Sequence, residues 1–310
     1  MSVIVMLSYY LRKLNYNEIP EFLVKYLESP SLIRLKKISY LCGMEYSSKE
    51  IYNIEEFISR YDHSLTVSLI TWLLTGDKKA TIAALVHDVS TPCFSHVVDF
   101  MNADYEKQES TEEFTEFILK NDDYFMECLK KDNIDLSDIV NYKRYTIVDN
   151  NRPKVCADRI DGVILTGISW TKNITKEDID LIVDDMYVVK NEENEKEISF
   201  KTLSVAQKVI DISKSIDVYC HSRENFYLMK LLGDMTKLAI DRKYIKYEDL
   251  FYLNEEELFN IFYNKNDKDL LEILNEFKTV KINEIPSINI PKIKIRSLKP
   301  LVNGVRMLAC

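Results

Sequence analysis

Two of the chain's four histidines fall within ten residues of each other, in the stretch HDVSTPCFSHVVDF that runs from His87 to Phe100. His87 and Asp88 form an adjacent imidazole–carboxylate pair, and His96 and Asp99 follow. His63 lies 24 residues upstream, and Asp158 sits downstream in VCADRIDGVIL. Two imidazoles and two carboxylates make a mixed nitrogen–oxygen donor set. That set suits a divalent cation such as Mn, Fe, Co, Ni or Zn, with Mg also open. In an octahedral shell these four donors leave two positions, for water and for a substrate oxygen. Water held in that way is a usable nucleophile near neutral pH. His96 and Asp99, three residues apart on a helix, share one face.

The segments around these residues must bring them together, and their periodicity is helical. Ser64–Leu74 is apolar nearly all round, which marks a buried helix, and Ala80–Val86 leads as a second one straight into His87. If those two helices lie antiparallel, His63 at the start of one meets His87 at the end of the next. Asp158 sits on a segment whose Val155, Ile160, Val163 and Ile164 give a helical apolar face. Further helices are expected over 20–28, 31–41, 109–120, 175–187, 200–215, 223–241, 247–263 and 268–277. The polar run 190–196 (KNEENEK) reads as a solvated loop. After about Lys278, apolar and polar residues alternate among three prolines, which predicts a strand-like tail lying on the helical body. The expected organisation is therefore all-α: one helical domain over 1–278 and an extended, β-like tail over 279–310.

Composition sets outer limits. The 310 residues are 46% apolar and 29% charged, as in a soluble globular protein, and six Gly with seven Pro imply few turns. A net charge of −9 argues against a broad nucleic-acid-binding face. It leaves room for a small phosphorylated ligand neutralised locally by metal and a few basic groups. The longest apolar run is far short of the roughly 20 residues that span a membrane. Six scattered cysteines without a CxxC pair, and no signal peptide at the start, lead us to expect reduced thiols and a cytoplasmic protein.

The ordered set His63…His87-Asp88…Asp158 resembles the HD-domain metal-dependent phosphohydrolases, and most closely their deoxynucleoside-triphosphate triphosphohydrolase-like branch. Five segments in the family's order carry the resemblance: SPSLIRLKKISYLCG (29–43), SRYDHSLTV (59–67), HDVSTPCFSHVVDF, ADRID (157–161) and VYCHSRENFYLMKLLGDM (218–235). It implies an HD-domain helical fold with His63, His87, Asp88 and Asp158 as metal ligands. Arg60 would contact a substrate phosphate. His96 and Asp99 would position water or protonate the leaving group, and Tyr219 and His221 would line the substrate cleft. The implied substrate is a small phosphorylated molecule, in this branch a nucleotide, and the branch assembles into homo-oligomers.

The chain also departs from that branch. Thr91 stands where the branch has a histidine, no histidine occurs between His96 and His221, and Gly162 replaces a tyrosine. Glu106 or Glu109 could stand near the site instead. Triphosphohydrolase, nucleotide monophosphatase and phosphodiesterase chemistry all stay open, as does a degenerate member that binds a nucleotide or protein partner as a sensor.

Overall fold

In the computed structural model, which describes residues 3–54, 57–106 and 114–307, helices set most of the architecture. The N-terminal helix α1 (Val3–Lys13) packs on the body that carries the site. Next come α2 (Arg60–Thr75) and α3 (Lys78–Val86), which form a tightly packed hairpin. The start of α2 is fixed by a reciprocal cap: Ser59 Oγ accepts the Asp62 N–H, and Asp62 Oδ2 accepts the Ser59 N–H. Its end is Gly76, in the left-handed region at φ 59°, and Asp77 then caps α3 by accepting the Lys79 and Ala80 N–H groups. Leu65, Val67, Leu69 and Ile70 from α2 and Ile82, Leu85 and Val86 from α3 are buried. Each such side chain contributes roughly 1.5–3 kcal/mol on burial. The hairpin brings the first turn of α2 beside the last turn of α3.

Five longer helices complete the body with α4 (Val97–Met101), which closes the His-Asp stretch. These are α5 (Ala157–Ser169), α6 (Lys176–Asp185), α7 (Leu203–Cys220), α8 (Arg223–Asp241) and, after a 3-10 turn at Glu248–Phe251, α9 (Glu255–Asn264). A last helix, α10 (Lys268–Thr279), packs against α8. Helix α5 lies against α1, α2 and α7, which places its N-terminal turn near the start of α2. Further helices at Glu21–Val24, Pro30–Arg34, Thr115–Lys120, Asp123–Asp132 and Ser137–Val140 link these elements.

The chain is mostly helical, not all-α. A four-stranded sheet in the order β1-β2-β3-β4 comprises β1 (Met186–Lys190), β2 (Lys196–Phe200), β3 (Leu301–Val302) and β4 (Val305–Arg306). β1 and β2 pair antiparallel, β2 and β3 parallel, and β3 and β4 antiparallel. The expected helix over 175–187 therefore stops at Asp185, and the polar run after Lys190 is a hairpin turn. Asn191 Oδ1 accepts the Glu193 and Glu195 N–H groups there, each at 3.0 Å. β2 is buried despite its charges because the tail covers it: Arg306 Nη1 donates to Glu197 Oε1 at 2.6 Å.

Residues 285–300 run extended over the body, with Ile293 and Leu298 buried. Among the described residues, no helix is long and apolar enough to cross a membrane. The five described cysteines are free thiols; Cys310 lies outside the described residues.

Candidate metal centre

The four sequence-predicted ligands converge. The ligand atoms of His63, His87 and Asp88 lie within 4.8 Å of one another. Asp158 Oδ1, from the first turn of α5, is 3.1 Å from His63 Nε2 and 3.7 Å from His87 Nε2. Asp88 completes the group, 3.7 Å from His63 Nε2 and 3.8 Å from His87 Nε2. Both imidazoles are oriented from behind. His87 Nδ1 is 2.7 Å from the Ala84 carbonyl, so this nitrogen carries the proton and donates it. His63 Nδ1 is 2.6 Å from Asp161 Oδ2, and Asp161 also accepts the Tyr10 hydroxyl at 2.8 Å. Each Nε2 is thereby left with its lone pair facing the space between the two carboxylates, the arrangement that tunes metal-bound histidine.

Whether a divalent cation fits can be tested on His87. Its Nε2 is buried and makes no hydrogen bond among the described residues, a costly situation for a lone pair unless something else satisfies it. A cation between His63, His87, Asp88 and Asp158 would do so, and buried His and Asp groups here could hold one. A second group, Asp149, Cys156 and Asp158, also has ligand atoms within 4.8 Å of one another. It is less suited: Arg159 already donates to Asp149 at 3.0 Å, and burial pushes the Cys156 thiol up to about 12, away from the thiolate a metal needs.

The charges around the centre are strongly coupled. Burial works against a charged His63, but hydrogen bonds to Asp158 and Asp161 and the nearby charge of Asp161 and Asp88 outweigh it and raise its pKa to about 10. Burial opposes ionisation of Asp88, yet His87, Arg60 and His63 hold it far below the ordinary carboxylate range. Asp161 goes the other way, its pKa raised by burial.

Arg60 occupies the first position of α2 and reaches into the centre. Its Nη1 donates to Asp88 Oδ2 at 2.8 Å and its Nε to Ser95 Oγ at 3.1 Å. The guanidinium lies 5.0 Å from the Tyr40 ring, which in turn sits 4.9 Å from the His63 ring. The turn that presents Ser95 and His96 is unusual. Phe94 and Ser95, neither a glycine, adopt φ of 61° and 51°, a conformation that needs its surroundings to hold it. Here the Phe94 N–H donates to Glu255 Oε1 at 3.1 Å, the Cys93 N–H to the Leu250 carbonyl at 2.8 Å, and the Ser95 hydroxyl to the Ser39 carbonyl at 3.0 Å.

These groups border a cavity of about 740 Å³, whose wall includes all four ligands with Tyr40, Arg60 and His96. Asp99 is fully buried behind that wall; its Oδ2 is 2.9 Å from His96 Nδ1. Tyr219 and His221 flank the cavity without lining it, although Cys220 between them does. Tyr219 packs edge-on against Trp170, and His221 Nδ1 donates to the Asp217 carbonyl. Glu106 is at the wall and pairs with Lys292 at 2.9 Å, whereas Glu109 lies outside the described residues.

Thr91 does not face the cavity. It is fully buried, and its carbonyl accepts from Arg34 at 2.5 Å. Gly162 does line the cavity, and a Cβ there would come within 3.1 Å of the Tyr40 hydroxyl. The space a larger side chain would take at position 162 is thus filled by Tyr40.

Sequence reading passed over several groups in and behind the cavity wall. Asp161 had a signal, since it lies one helical turn after Asp158 on the same face. Tyr40 and the basic residues Arg152, Arg159 and Arg296 had none, because they reach the site from separate loops, from the first turn of α5 and from the tail.

No protein-family model matches the chain. The chain is similar to the uncharacterized protein YdhJ of Bacillus subtilis (strain 168), with 25% identity over 251 residues, 80% of this chain and 73% of that protein.

Proposed function

We propose that this protein is a metal-dependent phosphohydrolase that cleaves a phosphate ester or anhydride of a nucleotide, on a member of the HD-domain superfamily. The observation that carries the reading is His87 Nε2, buried and without a hydrogen bond among the described residues, aimed into a group of one further imidazole and two carboxylates. A divalent ion held there would polarise a phosphoryl oxygen and acidify water.

The protein's own groups supply the rest. Arg60, held over Tyr40 and against Asp88, offers fixed positive charge to a phosphoryl group that gains negative charge as it reacts. Asp99 accepts a hydrogen bond from the His96 Nδ1–H, which leaves Nε2 of that ring able to take a proton from water or return one to the leaving oxygen. Burial lowers the His96 pKa, against the opposing pull of Asp99, so the ring is neutral and ready to accept a proton at neutral pH. The cavity volume of about 740 Å³ lies in the range that takes a nucleotide-sized ligand.

The test is product identification by chromatography on a panel of nucleoside mono-, di- and triphosphates with Mn, Co or Mg. Release of phosphate, pyrophosphate or triphosphate from at least one nucleotide is expected, and the product names the bond cleaved. Tight nucleotide retention with no product under any metal would replace hydrolysis by a binding role.

A further inference from the structure

Behind the turn that presents Ser95 and His96 lie two buried carboxyls that the metal centre does not use, Glu45 and Glu255. Glu45 belongs to a 3-10 turn at Met44–Tyr46, and Glu255 opens α9. One serine joins them. The Ser39 N–H donates to Glu255 Oε1 at 2.9 Å, and the Ser39 hydroxyl donates to Glu45 Oε2 at 2.5 Å. The other oxygen of each carboxyl, Glu45 Oε1 and Glu255 Oε2, is buried and makes no hydrogen bond among the described residues. If both were ionised, each would keep a charged oxygen without water or a partner, and the two charges would repel each other. The cations that act on the pair direct their nitrogens elsewhere: Arg34 donates to the Leu253 and Thr91 carbonyls, and Lys49 to the Glu45 and Ile54 carbonyls. Cys93 and Tyr46 also face Glu255, and burial raises both, so they stay neutral.

Ser39 connects the pair to the cavity. Its carbonyl accepts the Ser95 hydroxyl at 3.0 Å, Ser95 Oγ accepts from Arg60 Nε at 3.1 Å, and Arg60 Nη1 donates to Asp88 Oδ2 at 2.8 Å. Glu255 holds the same turn at a second point, since its Oε1 also accepts the Phe94 N–H at 3.1 Å. Phe94 and Ser95 keep their left-handed φ because bonds of this kind hold them there. A change in the charge of the pair therefore has a continuous hydrogen-bonded route to Arg60, and a direct one to the residues just before His96.

We propose that Glu45 and Glu255 hold at least one proton between them and, in that state, are positioning residues: through Ser39 and the Phe94–Ser95 turn they fix Arg60 and His96 at the cavity. The consequence for turnover rests on the phosphohydrolase reading; the consequence for the turn stands without it. Burial raises Glu45 to about 7, and burial with the charge of Glu45 raises Glu255 to about 8. The closed turn thus binds protons more tightly than carboxyls released to water. Its hold is greatest near the ordinary carboxylate range and weakens as pH rises to about 8.

The experiment is hydrogen–deuterium exchange of the full chain between pH 5.5 and pH 8, read on peptides spanning residues 93–98 and corrected at each pH for the rate of the unfolded chain. Protection of this turn in the wild type should fall about tenfold or more across the range, while peptides from the middle of α5 keep theirs. Glu45→Gln and Glu255→Gln keep an acceptor for the same donors and replace the unpartnered oxygen by an uncharged amide, so each should flatten the fall. Glu255→Leu, which removes the acceptor, should lose protection at every pH. Level wild-type protection from pH 5.5 to pH 8 overturns the proposal, as does an equal fall in the wild type and both Gln variants. A parallel pH–rate profile, on a nucleotide hydrolysed in manganese, should show an alkaline decline in the wild type that both Gln variants relieve. A decline that neither variant relieves would overturn the positioning role. Hydrolysis of no nucleotide would remove the phosphohydrolase reading and leave the exchange result to decide the claim about the turn.

Discussion

His63 Nδ1 lies 2.6 Å from Asp161 Oδ2, and Asp161 lies one helical turn from Asp158, whose Oδ1 is 3.1 Å from the other nitrogen of the same ring. One turn of α5 thus grips both sides of one imidazole. Asp158 faces the centre and Asp161 fixes the ring from behind.

Asp161→Asn should therefore weaken metal binding by roughly 10- to 100-fold without removing any ligand, because the ring loses the carboxylate that orients it and raises its basicity. Equilibrium dialysis against manganese reads this directly. Because the Tyr10 hydroxyl also bonds Asp161, Tyr10→Phe should give a smaller loss in the same assay. An affinity unchanged in Asp161→Asn would mean that the His63 orientation is set elsewhere.

His96 and Asp99 make a second, graded prediction. His96→Gln should lower turnover on the order of 100-fold or more while leaving metal content intact, as for loss of a general acid–base group. Asp99→Asn should lower it less and shift the pH–rate profile, since Asp99 lies behind the cavity wall and touches His96 at Nδ1. Identical profiles for wild type and Asp99→Asn would assign Asp99 a packing role.

A third prediction concerns pH and stability. Glu255 and Glu45 are buried carboxyls behind the turn that presents His96, and Glu255 Oε1 accepts the N–H groups of Phe94 and Ser39. Burial raises Glu45 to about 7, against Ser39, Lys49 and backbone donors; burial and the charge of Glu45 raise Glu255 to about 8. Raised carboxyl pKa values mean that the folded state binds more protons than the unfolded chain from just above the ordinary carboxylate pKa up to about 8. Their contribution to stability is therefore largest on the acid side of that window and falls as pH rises through it, by on the order of a few kcal/mol. Urea unfolding at pH 5.5 and pH 8 should show this fall in the wild type and a smaller one in Glu45→Gln. An equal pH slope in both proteins would contradict the assignment.

How much of this was legible in the sequence follows from range. The four candidate ligands could be read because His63 and Asp158 stand in the first turns of two helices and His87 and Asp88 follow directly on the end of a third, and because the Gly76–Asp77 junction folds α2 back on α3. The β1–β2 hairpin was hidden, since its polar turn reads like any solvated loop and the partner that buries Glu197 is Arg306, more than a hundred residues away. Tyr40 and Arg296 were hidden for the same reason: nothing local marks a loop tyrosine as the ring over His63, or a tail arginine as part of a cavity wall. Thr91 shows the opposite limit. Its place in the motif is plain, but only the fold shows that it points into the core.

The central claim is that His63, His87, Asp88 and Asp158 hold a divalent ion, and His87→Ala tests it most directly. Metal analysis of the purified variant and wild type after incubation with manganese, alongside far-ultraviolet circular dichroism, should show the ion retained by the wild type and lost from a variant whose helical signal is unchanged. Equal manganese in both proteins would contradict the account.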